Sequence, residues 1–357
     1  MLVYFGKQVC PEILFSAGTQ KETIYCTSTM WSTDLKTWTN YTFLDEGDVA
    51  FNHFIKFNGK YFGFMYDRIM VSSDLKTWEN TQMFKNIPED TYYSVSTDCA
   101  PVIFNNNVYI TMRIMGLESV ESGLFKSNDG ETWEKVDIDG QDTIQYLCVA
   151  NDKLYIIGGY IKYSTDGTNW TQISEWYSLD FSYVYYINNM YFGLGNENYY
   201  STDGINWTPM NINTDPNSLN IMHDGKYFIT KTSQNTGSDN VIAYSSNGID
   251  WDYYTLPTDD SVTCIGTHNG VTVVSTKNNL FTTTSEKVGT EWQETYTWNL
   301  EGVQYPGWPL FINHDGKQFI TAHDVGQVIS SPDGYNWEEQ ANSLSLGYMG
   351  SLFIENI

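Results

Sequence analysis

Residues 163–170 read YSTDGTNW. The stretch predicts a strand ending at Tyr163–Ser164, a reversal at Asp166–Gly167 and a returning strand opened by Trp170. Asp-Gly between strand-like runs is a strong hairpin signal, because a tight turn needs positive φ, which glycine supplies and aspartate tolerates. Ser164 and Asp166 can accept hydrogen bonds from backbone N–H groups that the turn leaves unpaired. Trp170 brings a large apolar surface back onto the sheet.

The unit recurs on both sides of this stretch. Upstream it reads STDLKTW at 32–38, SSDLKTW at 72–78 and SNDGETW at 127–133. Downstream it reads STDGINW at 201–207, SSNGIDW at 245–251, a degenerate SEKVGTEW at 285–292 and SPDGYNW at 331–337. Successive tryptophans of the eight copies lie 37 to 55 residues apart. One hairpin signature per period of this length predicts a four-stranded blade repeated around a ring. A second landmark, a short polar turn such as Asn58-Gly59-Lys60 or Asp224-Gly225-Lys226, precedes each tryptophan after the first.

Each blade therefore reads as strand A, polar turn, strand B, variable loop, strand C, Ser-x-Asp-Gly turn and strand D. The expected fold is all-β: a single β-propeller domain over residues 1–357, with eight four-stranded blades. Seven is the alternative if Ser285–Trp292 is an insertion. The run Ser351–Ile354 is expected to pair into the N-terminal blade and close the ring, which removes exposed sheet edges. Two runs, Leu2–Phe5 and Glu12–Phe15, compete for strand B of that blade. The eight signature tryptophans are expected to be mostly buried.

Composition limits the partners. The 357 residues carry 43 acidic against 18 basic side chains, a net charge of −25. That disfavours nucleic acid and anionic membranes, which need basic surface. Five scattered cysteines without a CxxC pair predict neither a disulfide framework nor a zinc site. No metal or other cofactor is expected. The opening MLVYFGKQVC lacks a basic segment followed by a long apolar run, and no stretch predicts membrane insertion. A virion or the cytoplasm is the expected location.

At these repeats the sequence resembles the Asp-box, or BNR, repeat of sialidase-like β-propellers, with most copies one residue shorter than S-x-D-x-G-x-x-W. The SxDLKTW copies are also similar to an element of five-bladed furanosidase-type glycosidases. The Asn-, Tyr- and Ile-rich character resembles propellers carried by phage structural or tail-appendage proteins. The resemblance implies a fold rather than a chemistry. Sialidases of this type hold the substrate carboxylate with three arginines, and this chain has only Arg68 and Arg113. Lysine does not reproduce that bidentate grip, so sialidase activity is not expected.

In such a blade the A–B and C–D turns share one rim, here the turn rim. The B–C and D–A connections share the other, the loop rim. The irregular segments fall on the loop rim: Tyr66-Asp67-Arg68, Met112–Ser122 with Arg113, Gly195–Asn198 with Glu197, Lys231–Asp239, and Ala322–Gly326 with His323 and Asp324. Variable loops on a rigid scaffold are where binding residues concentrate. The candidate binding residues are Arg68, Arg113, Asp67, Trp176, Trp308, Glu197 and His323. The two arginines read either as an anion- or glycan-contacting pair or as local ion pairs with Asp67 and with Glu118 or Glu121. The five histidines are not expected to cluster, and His223 and His314 hold equivalent places before DGK turns.

The expected function is a non-enzymatic binding module that engages a protein partner in a larger assembly, or a surface glycan, through the loop rim. A glycoside hydrolase with paired rim carboxylates about 5 to 9.5 Å apart is one alternative. A cytoplasmic assembly scaffold is the other.

Overall fold

The computed structural model describes residues 23–27, 30–44, 51–85, 92–95, 99–115, 120–140, 144–174, 179–212, 221–232, 240–301, 307–341 and 353–356. They form a single eight-bladed β-propeller, each blade built on an antiparallel four-stranded sheet. Blade two runs outward through His53–Phe57, Lys60–Phe64, Ile69–Ser72 and Thr77–Asn80. Blade seven is Val262–His268, Val271–Thr276, Asn279–Thr284 and Gln293–Thr297. Blade eight is Pro309–His314, Phe319–His323, Val328–Ser331 and Glu338–Ala341. The degenerate Ser285–Trp292 segment is the C–D connection of blade seven, so eight blades stand and the seven-bladed alternative falls.

Blade one is assembled from both ends of the described chain. Its innermost strand is Phe353–Asn356, followed outward by Thr23–Cys26, Met30–Ser32 and Thr39–Asn40. Phe353–Asn356 pairs antiparallel with Thr23–Cys26, which closes the ring as expected, two residues later than the predicted run. Strand B is thus neither Leu2–Phe5 nor Glu12–Phe15; both runs lie outside the described residues. Thr23–Cys26 was hard to see because the polar A–B turn that marks strand B elsewhere is absent where strand A comes from the other end of the chain.

The turn rim follows from local chemistry. The A–B turns at Asn58-Gly59, Asn105-Asn106, Asn188-Asn189 and Asn269-Gly270 hold both residues at φ between 47° and 77°, the primed geometry that matches strand twist. In seven C–D turns the serine hydroxyl donates to the Asp or Asn Oδ1 two residues on. In the opening example Ser164 Oγ accepts the Gly167 N–H at 2.8 Å, and Asp166 Oδ1 accepts the N–H groups of Thr168 and Asn169. Blade seven lacks the aspartate and closes its turn with backbone bonds from Lys287, Thr290 and Glu291 instead.

The core lies between blades. At four junctions an aromatic ring on strand B of one blade occupies the space above the turn glycine of the next. The pairs are Phe62 with Gly130, Tyr109 with Gly167, Tyr155 with Gly204 and Phe192 with Gly248. A Cβ on Gly130 would fall 2.3 Å from the Phe62 ring. On either side of blade one the arrangement is exchanged. There the turn carries Leu35 or Leu75, each buried and at φ 63°, a left-handed conformation that costs a leucine about 1–2 kcal/mol. Leu35 packs in one cluster with Ile320 of blade eight, and Leu75 in one cluster with Cys26 of blade one.

The eight signature tryptophans are mostly buried, as expected, and none is exposed. Trp78 and Trp292 are buried, whereas Trp38, Trp133, Trp170, Trp207, Trp251 and Trp337 are half-buried. Each stands at or next to the start of the outermost strand.

Candidate functional site

The two rims differ in how their polar groups are used. On the turn rim the Asp-box carboxylates are spent on the backbone. Burial alone would raise the Asp129 pKa, but the N–H and hydroxyl of Thr132, with the Glu131 N–H, bring it down to about 2. His223 and His314 cap turns in the equivalent way, accepting the N–H groups of Gly225 and Gly316 on Nδ1. Two of the five histidines come together, a pairing that the sequence reading did not expect. His268 and His314 close the inner strands of successive blades, and their rings stack 3.5 Å apart. Burial first, and His268 second, push the His314 pKa down to about 4.

The loop rim places the candidates on four blades. Asp67 and Arg68 lie in the B–C loop of blade two and pair bidentately, with Nη2 2.8 Å from Oδ2 and Nε 3.1 Å from Oδ1. The Arg68 guanidinium holds the Asp67 pKa below the usual carboxylate range. Arg68 thus takes the local ion pair. Tyr66 beside them is 56% exposed, and its carbonyl accepts the Val95 N–H of blade three.

Arg113 is exposed, and its side chain makes no hydrogen bond or ion pair among the described residues. Met112–Ser122 is not an irregular loop. Strand B of blade three runs Asn107–Met115 and strand C Val120–Ser127, paired as far as Met115–Val120. The long step before Trp133 is therefore partly an extended hairpin, with Tyr92–Val95 paired alongside it and Arg113 opposite Ser94 and Ser122. Glu118 lies outside the described residues.

On blade five, Glu197 is exposed in the B–C loop and accepts the Tyr199 hydroxyl. Burial, reinforced by that carboxylate, pushes the Tyr199 pKa up to about 12. Trp176 and most of Lys231–Asp239 lie outside the described residues.

Among the described residues, the corner between blades seven and eight brings together predicted residues from separate segments of the chain. Trp308 precedes the first strand of blade eight and is 51% exposed. The ammonium of Lys277, in the B–C loop of blade seven, lies 5.4 Å from its ring centroid, a cation–π contact. His323 ends strand B of blade eight and is fully buried, so it contributes through its neighbours rather than at the surface. Its Nδ1 lies 2.8 Å from Asp324 Oδ1, and its Nε2 3.3 Å from the Lys277 carbonyl. Both of these partners are acceptors, and Nδ1 also lies 3.4 Å from the Val325 backbone N–H. Burial pulls the imidazole pKa below its ordinary value, against the opposing pull of Asp324.

The Asp324 carboxylate lies against Gly307, in the space that a Cβ there would take, 1.6 Å from Oδ2. Beneath the corner, Trp298 Nε1 and Gln327 Oε1 are buried with no hydrogen-bond partner among the described residues. Sequence reasoning found Trp308, His323 and Asp324 but missed Lys277, which no motif marks. Among the described residues no cluster of three or more His, Cys, Asp or Glu side chains could hold a metal ion. No helix among them is long and apolar enough to cross a membrane.

A family profile described as "DUF6242 beta propeller domain" matches residues 94–242, less than half of the chain. No curated protein matches. Among solved structures, the computationally designed Ika8 protein is similar at 13% identity and TM-score 0.51, over 84% of this chain and 90% of that one. YCF48 bound to D1 peptide gives 16% identity and TM-score 0.43, over 64% and 77%. BamB from Moraxella catarrhalis gives 9% and 0.46, over 80% and 86%. The family profile and the Ika8 likeness place the chain among the β-propellers by fold.

Proposed function

We propose that the chain is a binding module without catalytic chemistry, which holds a protein partner on its loop rim. The supporting observation is the contrast between rims. The turn rim spends its carboxylates on its own backbone, whereas the loop rim displays Tyr66 and Trp308 half open to solvent beside charged side chains. Tyrosine, tryptophan and arginine are the residue types that most often dominate binding energy once desolvated. Asp67, Glu197 and Asp324 are engaged by Arg68, Tyr199 and His323 on three different blades, which disfavours a carboxylate pair facing one sugar. In a larger assembly, a virion included, such a rim would be the docking face.

The test is photo-crosslinking in the source organism, with a benzophenone amino acid at position 66 or 308 and a control at position 168 on the turn rim. A protein adduct from the loop-rim positions and none from 168 is the expected result. Adducts from 168 alone would overturn the assignment, and adducts to carbohydrate would move it to a surface glycan.

A further inference from the structure

We infer that the Trp308 corner is a seat for a basic, arginine-bearing segment of the partner, an inference that rests on the loop rim being a protein-binding face. Three observations carry it. First, the indole already accepts a cation: the Lys277 ammonium lies over Trp308 and makes no ion pair among the described residues. Lys277 is the chain's own stand-in for the occupant.

Second, the surrounding charge is acidic. Asp324 keeps its side chain 39% exposed. Asp260 stands in the same corner, its Oδ2 accepting from Asn278 beside Lys277, and Glu301 is exposed in the connection leading to Trp308. The net charge of −25 adds long-range attraction for a basic partner.

Third, the geometry suits a planar cation. A guanidinium can stack on an indole face while its N–H fork reaches a carboxylate, which an ammonium does less well. Asp324 is placed for such a contact from two sides, by the His323 ring, whose Nδ1 lies 2.8 Å from Oδ1, and by the space that Gly307 leaves at Oδ2. An arriving arginine would displace the Lys277 ammonium from the ring and pair with Asp324.

The experiment titrates the full chain into a fluorescein-labelled GRGRGRG peptide at fixed low salt, followed by anisotropy, with GKGKGKG as comparison. The arginine peptide should bind more tightly than the lysine one. Trp308→Ala and Asp324→Asn should each weaken it about tenfold, equivalent to about 1.4 kcal/mol. Lys277→Met, which frees the ring, should strengthen it by roughly threefold, the scale of an exposed cation–π contact.

Glu286→Gln and Lys226→Met change charge equally on the turn rim and should leave binding unchanged. Equal binding of the two peptides, equal loss in Glu286→Gln and Asp324→Asn, or no gain in Lys277→Met relative to Lys226→Met would each overturn the seat. If the peptide fails in these ways while crosslinks from position 308 persist, the basic occupant is wrong and the loop-rim assignment stands. Loss of both removes both.

Discussion

The junctions between blades two and six and the two junctions around blade one fill the same space from opposite sides. In the first group the preceding blade sends in a ring and the turn recedes to glycine, as in Tyr155 over Gly204, where the hydroxyl also donates to the Gly204 carbonyl at 2.9 Å. In the second the turn sends in Leu35 or Leu75, and the preceding strand recedes to Ile320 or Cys26. The interior must be filled to crystal-like density, but which chain segment supplies the volume is free to change. The leucine solution accepts a left-handed leucine in exchange for a locally supplied plug, and it occurs on both sides of the one blade assembled from two ends of the chain.

The largest effect should come from breaking that blade. Deleting residues 353–357 uncovers the edge of Thr23–Cys26 and leaves Leu35 packed against an open junction, and exposed sheet edges aggregate. The truncated chain should be insoluble, or elute as aggregate on gel filtration. A soluble monomer with unchanged melting would show that the closing strand is dispensable.

Next comes the ring side of the comparison. Tyr155→Ala empties a fully buried site and removes the bond to Gly204, and should cost about 3–5 kcal/mol in urea denaturation, as other buried aromatic truncations do.

Exchanging one solution for the other is the sharpest test. Gly167→Leu alone should cost about 3 kcal/mol, from overpacking against Tyr109 plus a left-handed leucine. Adding Tyr109→Cys recreates the Cys26–Leu75 arrangement. The double variant should then recover at least about 1 kcal/mol relative to the sum of the single changes, the coupling expected of residues in contact. Strict additivity would mean that the volumes do not trade.

How far the sequence could be read divides along the same line. The Ser-x-Asp-Gly turns, the blade count and the placing of the tryptophans at the outermost strand are local signals, and each repeats within one period. The Leu and Gly variants of the turn were visible as two spellings. Their compensation was not, because the partner residue sits on another blade at a distance that no local pattern encodes. The His268–His314 stack had a usable signal, since both residues immediately precede the A–B turn of consecutive blades. At the loop rim, Trp308 and the Asp67–Arg68 pair were legible from residue type. Lys277 was not, because its importance comes only from the neighbouring blade's indole.

Acid supplies the smallest effects and separates the rims' chemistry from their packing. The folded pKa of Asp129 is depressed to about 2, so its contribution is present above the ordinary carboxylate range and is lost as pH falls toward 2. Asn247 fills the same place in blade six, accepting the N–H groups of Ile249 and Asp250. Asp129→Asn should therefore fold normally at neutral pH and lose part of the stability decline between about pH 4 and 2. The folded pKa of His314 is depressed to about 4, so the neutral ring favours folding. Stability should fall as pH drops from its ordinary value of about 6.5 toward 4. His314→Asn should flatten that part of the profile, and an unchanged slope would mean that the stacked pair does not titrate with folding.

The closing strand also sets an order of events on the ribosome. Phe353–Asn356 is translated more than 300 residues after the strand it pairs with. Blades two to eight can form as they emerge, each from contacts within one period. Blade one must wait with its inner place empty until that strand has emerged from the exit tunnel. Its completion is a loop closure spanning nearly the whole chain, the slowest kind of contact to make. A nascent chain stalled shortly before residue 353 should therefore expose the Thr23–Cys26 edge to chaperones, and emergence of Phe353–Asn356 should end that exposure in one step.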